Sequence, residues 1–402
     1  MKGGIHMLPQ DALQCGKEQN LIRVISEYAA KRAQEIGAEN VFNFSIGNPN
    51  VPAPEIVTET LIDILNTVPP AQLHSYTPAP GLGWVREAVA EDLNRRYGTS
   101  YTASDLYLTA GASAALAIVM KAVLLPGDEV ILFAPYYPEY AVYGECFGGR
   151  IVKVNCRGAD FQIDLEALEA AITEKTKIVV VNSPSNPAGT VFSQETITAL
   201  SDLLRRKQDE VGHPIYILAD EPYRELVFDD DMTLPFLPND YDNTIYTYSY
   251  SKCLSMPGER IGYILVPPKA AEAENLYASV CGAGRILGYV NINTLFQYML
   301  PKVLDKTSDL SIYKTNRDLL YSELTKYGYE MAKPEGAFYL FLKSPEPDDL
   351  AFCERAKQFE VMLVPGTVFG YPGYARLSYC VDTDTIRRAL PAMEALMKTY
   401  TE

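Results

Sequence analysis

Between Leu106 and Val266 short apolar runs alternate with helical patterns, and this alternation constrains the fold more than any other feature of the chain. Seven runs of four to six residues, at 106–109, 129–133, 150–154, 177–182, 215–219, 244–249 and 262–266, read as strands. Helical patterns at 112–125, 165–171 and 193–206 lie between several of them. Runs that are apolar throughout, flanked by Gly and Pro, bury both faces of a strand; helices must then cover a mostly parallel sheet on either side. The expected body is an α/β fold: a three-layer α/β/α large domain on a mostly parallel seven-stranded sheet.

The flanking segments have a different texture. A helical stripe of Leu21, Val24, Ile25, Tyr28 and Ala29 covers 20–36, and 41–46 reads as a short strand ending in a Gly-Asn-Pro turn. Beyond Pro301 come a polar helical segment (307–327), a strand pair (336–342 and 375–379) and a final helix (385–398). These imply a small α+β domain built from both chain ends, residues 1–49 and 301–402, beside a large domain at 50–300.

With 402 residues, a net charge of −16 and a pI of about 4.8, the chain repels phosphate backbones, which argues against a nucleic-acid partner. Its seven cysteines lack CxxC spacing, and its three histidines (6, 74 and 213) pair with no cysteine at ligand spacing. Neither a disulfide framework nor a metal site is expected. The first sixteen residues lack the apolar core of a signal peptide, and no apolar run approaches about 18 residues. The composition points to a soluble cytoplasmic protein that handles small molecules.

Four motifs carry chemistry. Leu108-Thr-Ala-Gly-Ala-Ser113 is a strand end, a glycine turn at Gly111 and a helix start, where unpaired N–H groups at Ala112 and Ser113 suit a phosphate. Asn182-Ser-Pro-Ser-Asn-Pro-Ala-Gly189 follows a strand, at the edge where open sheets bind ligands. Ile217-Leu-Ala-Asp-Glu-Pro-Tyr223 closes another strand on Asp220, whose carboxylate needs a cationic partner if desolvated. Tyr246-Thr-Tyr-Ser-Tyr-Ser-Lys252 precedes Pro257-Gly-Glu-Arg-Ile-Gly262, and a lysine among small and apolar residues can attack an aldehyde. Singly, each also fits ordinary loop punctuation or a surface residue.

In this order and combination the motifs resemble the class I/II aminotransferases, the aspartate aminotransferase-like pyridoxal-phosphate enzymes, from about Phe44 to Tyr379. The resemblance implies that Lys252 carries pyridoxal 5'-phosphate as a Schiff base and shuttles the substrate proton. Asp220 would pair with the pyridine nitrogen, and Asn186 and Tyr223 would bond the ring oxygen. Tyr137, in Ala134-Pro-Tyr-Tyr-Pro-Glu-Tyr140, matches the aromatic residue that stacks on the ring; many relatives have Trp there. The phosphate would be held by Gly111, Ala112, Ser113, Ser249 and Arg260. Tyr76, in Ser75-Tyr-Thr-Pro-Ala-Pro-Gly-Leu82, matches a tyrosine reaching in from a neighbouring subunit, which implies a homodimer with shared sites.

For substrate, Arg376 in Tyr374-Ala-Arg-Leu-Ser-Tyr379 matches the arginine that grips the α-carboxylate with a bidentate fork. Gly47, in Ser45-Ile-Gly-Asn-Pro49, matches the segment that closes over it, and Phe338 is expected to line the entrance. Arg285, in Cys281-Gly-Ala-Gly-Arg-Ile-Leu-Gly-Tyr289, lies near the position of an arginine that reads a distal carboxylate, with a different spacing to the next Tyr and Asn; the alternative is a surface or helix-end arginine. The subgroup with a lysine in the phosphate turn is not matched, since Ser113 stands there. The implied activity is a ping-pong transfer from an L-amino acid (aspartate, or another acidic, aromatic or small one) to a 2-oxo acid such as 2-oxoglutarate. A β-elimination lyase or decarboxylase shares the same scaffold and residues. A cofactor-binding sensor is the non-enzymatic alternative, but no helix-turn-helix precedes the family segment.

Overall fold

The computed structural model describes residues 8–17, 20–229 and 232–401. Helix α1 (Leu21–Ile36) opens the main body; the Asn20 side chain caps it by accepting the Ile22 N–H at 3.0 Å. The central chain then alternates as β1 (Leu106–Thr109), α2 (Gly111–Val123), β2 (Glu129–Ala134), β3 (Arg150–Asn155), α3 (Leu165–Ala171), β4 (Thr176–Val181), α4 (Gln194–Val211), β5 (Tyr216–Asp220), β6 (Thr244–Ser249), β7 (Gly262–Leu265) and α5 (Ala273–Leu287). The seven strands form one sheet in the order β1-β7-β6-β5-β4-β2-β3. All neighbours pair in parallel except β7, which is antiparallel to both β6 and β1.

Each strand buries side chains on both faces. Tyr107, Val130, Leu132, Ile178, Leu218, Ile245 and Ile264 pack with α2 and α5, whereas their neighbours Leu106, Ile131, Val179, Ile217 and Leu265 pack in a second cluster with Leu168 of α3 and Leu200 and Leu204 of α4. This period of two, apolar on both sides, is the three-layer arrangement expected from the sequence.

The carboxyl ends of β1, β4, β5 and β6 share one edge of the sheet. Because β7 runs the other way, its beginning lies at that same edge, and Gly262 sits in register between Thr109 and Ser249. A Cβ on Gly262 would overlap the Tyr248 carbonyl and come within 3.2 Å of the Gly111 Cα, so the close approach of three backbones requires glycine.

After the sheet come α6 (Ser311–Tyr327), β8 (Tyr339–Lys343), β9 (Val364–Pro365), β10 (Tyr374–Ser378) and α7 (Thr383–Thr401). β10 pairs antiparallel with both β8 and β9, adding a third strand to the expected pair. The expected strand at 41–46 pairs only through Phe42–Asn43, in parallel with Val361–Met362. A separate buried cluster joins Phe42 and Phe44 to Leu320, Leu340, Phe352, Leu377 and Met393, so both chain ends share one core. α1 is fastened to it by the Arg32–Glu360 ion pair at 2.7 Å. Among the described residues no helix is long and apolar enough to cross a membrane.

Candidate active site

A cavity of about 390 Å³ opens at the carboxyl edge of the large sheet, between it and the β8–β10 sheet. Its wall contains Gly47, Ala112, Ser113, Tyr137, Asn186, Asp220, Tyr223, Ser249, Lys252, Arg260 and Arg376, so eleven of the residues named from sequence meet around one space.

Lys252 follows β6. Its Nζ donates to the Gly47 carbonyl at 2.8 Å and lies 5.3 Å from the centre of the Phe338 ring. Burial, which disfavours the ammonium form, pushes its pKa down to about 8. Gly47 is confined from the other side: a Cβ there would overlap the Tyr339 hydroxyl.

Asp220 ends β5 and is 3 % exposed. Its carboxylate accepts the Tyr140 hydroxyl at 2.6 Å and the Thr247 hydroxyl at 3.3 Å. No cation is paired with it among the described residues, and burial pushes its pKa up to about 6 against the lowering effect of the two hydroxyls. The Asn182 amide, at the end of β4, donates to the Asp220 carbonyl at 2.7 Å and accepts the Asn186 N–H at 2.8 Å. Two adjacent strand ends thereby fix Asp220 and Asn186 together.

Arg376, on β10, is 2 % exposed. Nη1 donates to Asn186 Oδ1 at 2.9 Å and Nη2 to the Ser45 carbonyl at 2.6 Å, while Nε is buried without a partner among the described residues. The guanidinium lies over the Tyr339 and Phe369 rings, at 4.6 and 4.8 Å, and burial lowers its pKa. A buried guanidinium with a free donor and no carboxylate is built to receive one. Tyr223 meets Tyr339 hydroxyl to hydroxyl at 2.9 Å, and burial holds its phenol well above its ordinary pKa, so it stays a donor.

At the opposite end, Ala112 and Ser113 occupy the first turn of α2, facing Ser249 and Ser251, whose hydroxyls bond each other at 2.8 Å. Arg260 donates to the Pro257 carbonyl at 2.9 Å and the Ala110 carbonyl at 3.3 Å. Gly111 has φ +78°, and a Cβ there would lie 2.6 Å from Arg260 Nη2. Hydroxyls, helix N–H groups and a guanidinium around a glycine turn form an anion cradle.

Two expected residues lie outside this cavity: Tyr76 is 95 % exposed, and Arg285 is exposed on the last turn of α5. Phe338 does not line the entrance as expected; it is fully buried, packed against Tyr223, Tyr313 and Tyr339 beside Lys252. The sequence marked Asn182 as a strand-end asparagine of the ligand-binding loop and Tyr140 as a motif tyrosine, without a role for either, and passed over Thr247, Ser251, Tyr339 and Arg23. Arg23 and Tyr339 are brought in by segments remote in sequence.

The model of the family described as aminotransferase class I and II matches residues 39–393. The aspartate aminotransferase of Thermotoga maritima is 32 % identical over 94 % of this chain and 99 % of its own, and the probable aspartate/prephenate aminotransferase of Aquifex aeolicus is 31 % identical over 91 % and 94 %. Among solved structures, an aminotransferase from Eubacterium rectale is 49 % identical, with a TM-score of 0.96 over 99 % of this chain and 100 % of that one. The aspartate aminotransferase of Thermus thermophilus with maleate is 28 % identical, with a TM-score of 0.86 over 98 % and 100 %. The chain belongs to the class I and II aminotransferase family.

Proposed function

We propose that the chain transfers the amino group of an L-amino acid (aspartate, or another acidic, aromatic or small one) to a 2-oxo acid such as 2-oxoglutarate, in a ping-pong cycle on pyridoxal 5'-phosphate. The observation that carries this reading is Arg376: a buried cation with a free donor, facing the same cavity as the reactive amine of Lys252 and the strand-end carboxylate of Asp220.

The residues fit the cofactor. The phosphate suits the Gly111 turn, the Ala112 and Ser113 N–H groups, the Ser249 hydroxyl and Arg260; Asp220 supplies the missing counter-charge for a protonated ring nitrogen, and Tyr137 a ring face. When bound, the cofactor supplies an electron sink for the pair left at Cα. Lys252 takes the proton from Cα and returns it, its lowered pKa leaving a usable neutral amine near neutral pH. Asn186 and Tyr223 orient the ring oxygen, Arg376 holds the α-carboxylate, and the Gly47 segment covers it. Residues 1–49 and 301–402 are assigned to the small domain and 50–300 to the large one.

The same proposal includes a cytoplasmic homodimer with shared sites. The exposure of Tyr76, alongside Ile62, Leu65, Trp84 and Ile286, supports it. Because Arg285 lies outside its own chain's cavity, a substrate role for it belongs to that shared arrangement.

An amino-donor panel tests the activity. An active donor bleaches the cofactor's visible band without acceptor and releases oxo acid stoichiometrically; no such donor in a broad panel overturns the reading. Ammonia and pyruvate from a β-substituted alanine would instead mark an elimination lyase.

A further inference from the structure

Among the described residues five charged side chains line the cavity: Arg23, Asp220, Lys252, Arg260 and Arg376. Four have work in the reading above, and Arg23 has none. It lies on the first turn of α1, and its guanidinium makes no ion pair or hydrogen bond among the described residues. The helix end that carries it is fixed at the mouth: the Asn20 amide donates to Glu139 at 3.1 Å, two residues beyond Tyr137. Ile22 and Ile46 line the cavity beside it.

We propose that Arg23 reads the side-chain carboxylate of acidic substrates, making this a dicarboxylate-preferring enzyme. The inference rests on the aminotransferase reading. An amino acid with its α-carboxylate on Arg376 and its Cα within reach of Lys252 leaves its side chain to fill the remaining cavity. Arg260 is tied to two backbone carbonyls beside the Gly111 turn, so among the described residues the cation left for a second carboxylate is Arg23. Ile22 and Ile46 offer an apolar wall for one or two methylenes. Ser113, which stands where some relatives carry a lysine, supplies no charge there.

The test uses the loaded enzyme and two unreactive four-carbon acids, succinate and butyrate, whose binding is read as displacement in the cofactor spectrum, together with kcat/KM for aspartate and alanine. Arg23→Gln is expected to weaken succinate and lower kcat/KM for aspartate by about tenfold or more, with butyrate and alanine within about twofold. Arg23→Lys, which keeps the charge and loses the fork, should fall between. Equal losses on both kinds of ligand, no loss at all, or a selective loss confined to Arg285→Leu would overturn the assignment. A wild-type enzyme that transaminates nothing sinks the activity reading instead, while its succinate-to-butyrate comparison still reports on Arg23.

Discussion

At Asp220 a carboxylate lies buried against two hydroxyl donors, with its pKa raised from 3.8 to about 6. The folded chain thus holds this proton more tightly than the unfolded one. The stability gained from it is complete below about pH 4 and is lost as pH rises through about 6. Above that, the ionised group destabilises the cofactor-free chain by at most about 3 kcal/mol. Asp220→Asn should therefore raise the denaturation midpoint of the cofactor-free chain at pH 7.5, with the gain shrinking toward pH 5, while weakening cofactor binding. A gain that is constant with pH would show that ionisation is not its source. At Lys252, with its pKa near 8, uptake of pyridoxal 5'-phosphate should slow by about tenfold per pH unit below 8, because the neutral amine attacks the aldehyde. Stopped-flow rates flat between pH 6 and 8 would contradict this. Lys252→Ala should abolish turnover. These residues were legible because each lies within a few positions of a strand end that announces itself. Arg23 and Tyr339 were not: their place depends on which helix or sheet the tertiary fold lays over the edge.

Among the elements, β7 shows what periodicity reads and what it leaves out. Its apolar run was plain, but direction is not encoded in a run buried on both faces, so the antiparallel insertion between β1 and β6 emerges only from pairing. Its first residue gives the prediction at this scale. Gly262→Ala should cost about 2–4 kcal/mol and weaken cofactor binding, because the added methyl pushes the Gly111 turn off Ser249. Urea denaturation and a cofactor titration of the variant check both effects. Helix α5 adds a feature that the strand pattern does not announce. Gly282 and Gly284 both lie within it, and Gly284 is there because a Cβ would overlap the Tyr107 hydroxyl of β1. The glycine records a close helix–sheet approach, and Arg285 is consequently a helix-surface residue.

For the whole molecule, the proposed shared-site homodimer makes a numerical prediction. Mixing equal amounts of Tyr76→Ala and Lys252→Ala chains and letting subunits exchange should restore about a quarter of wild-type activity, since half the dimers would be hybrids with one intact site. Activity no higher than that of the parents would keep Tyr76 within its own subunit. The continuous seven-stranded sheet was readable from the alternating pattern, whereas the packing of Phe42 and Phe44 with the C-terminal segment in one core was readable only as a change of texture. The unpaired charges in the cavity have one further bearing, on protein turnover. Among the described residues Arg376 and Asp220 find no opposite charge, so on the proposed function cofactor and substrate would act as their counter-ions and lower the population of opened forms that proteases attack. The abundance of this protein in a cell should then follow the supply of the small molecules it binds, even at constant synthesis.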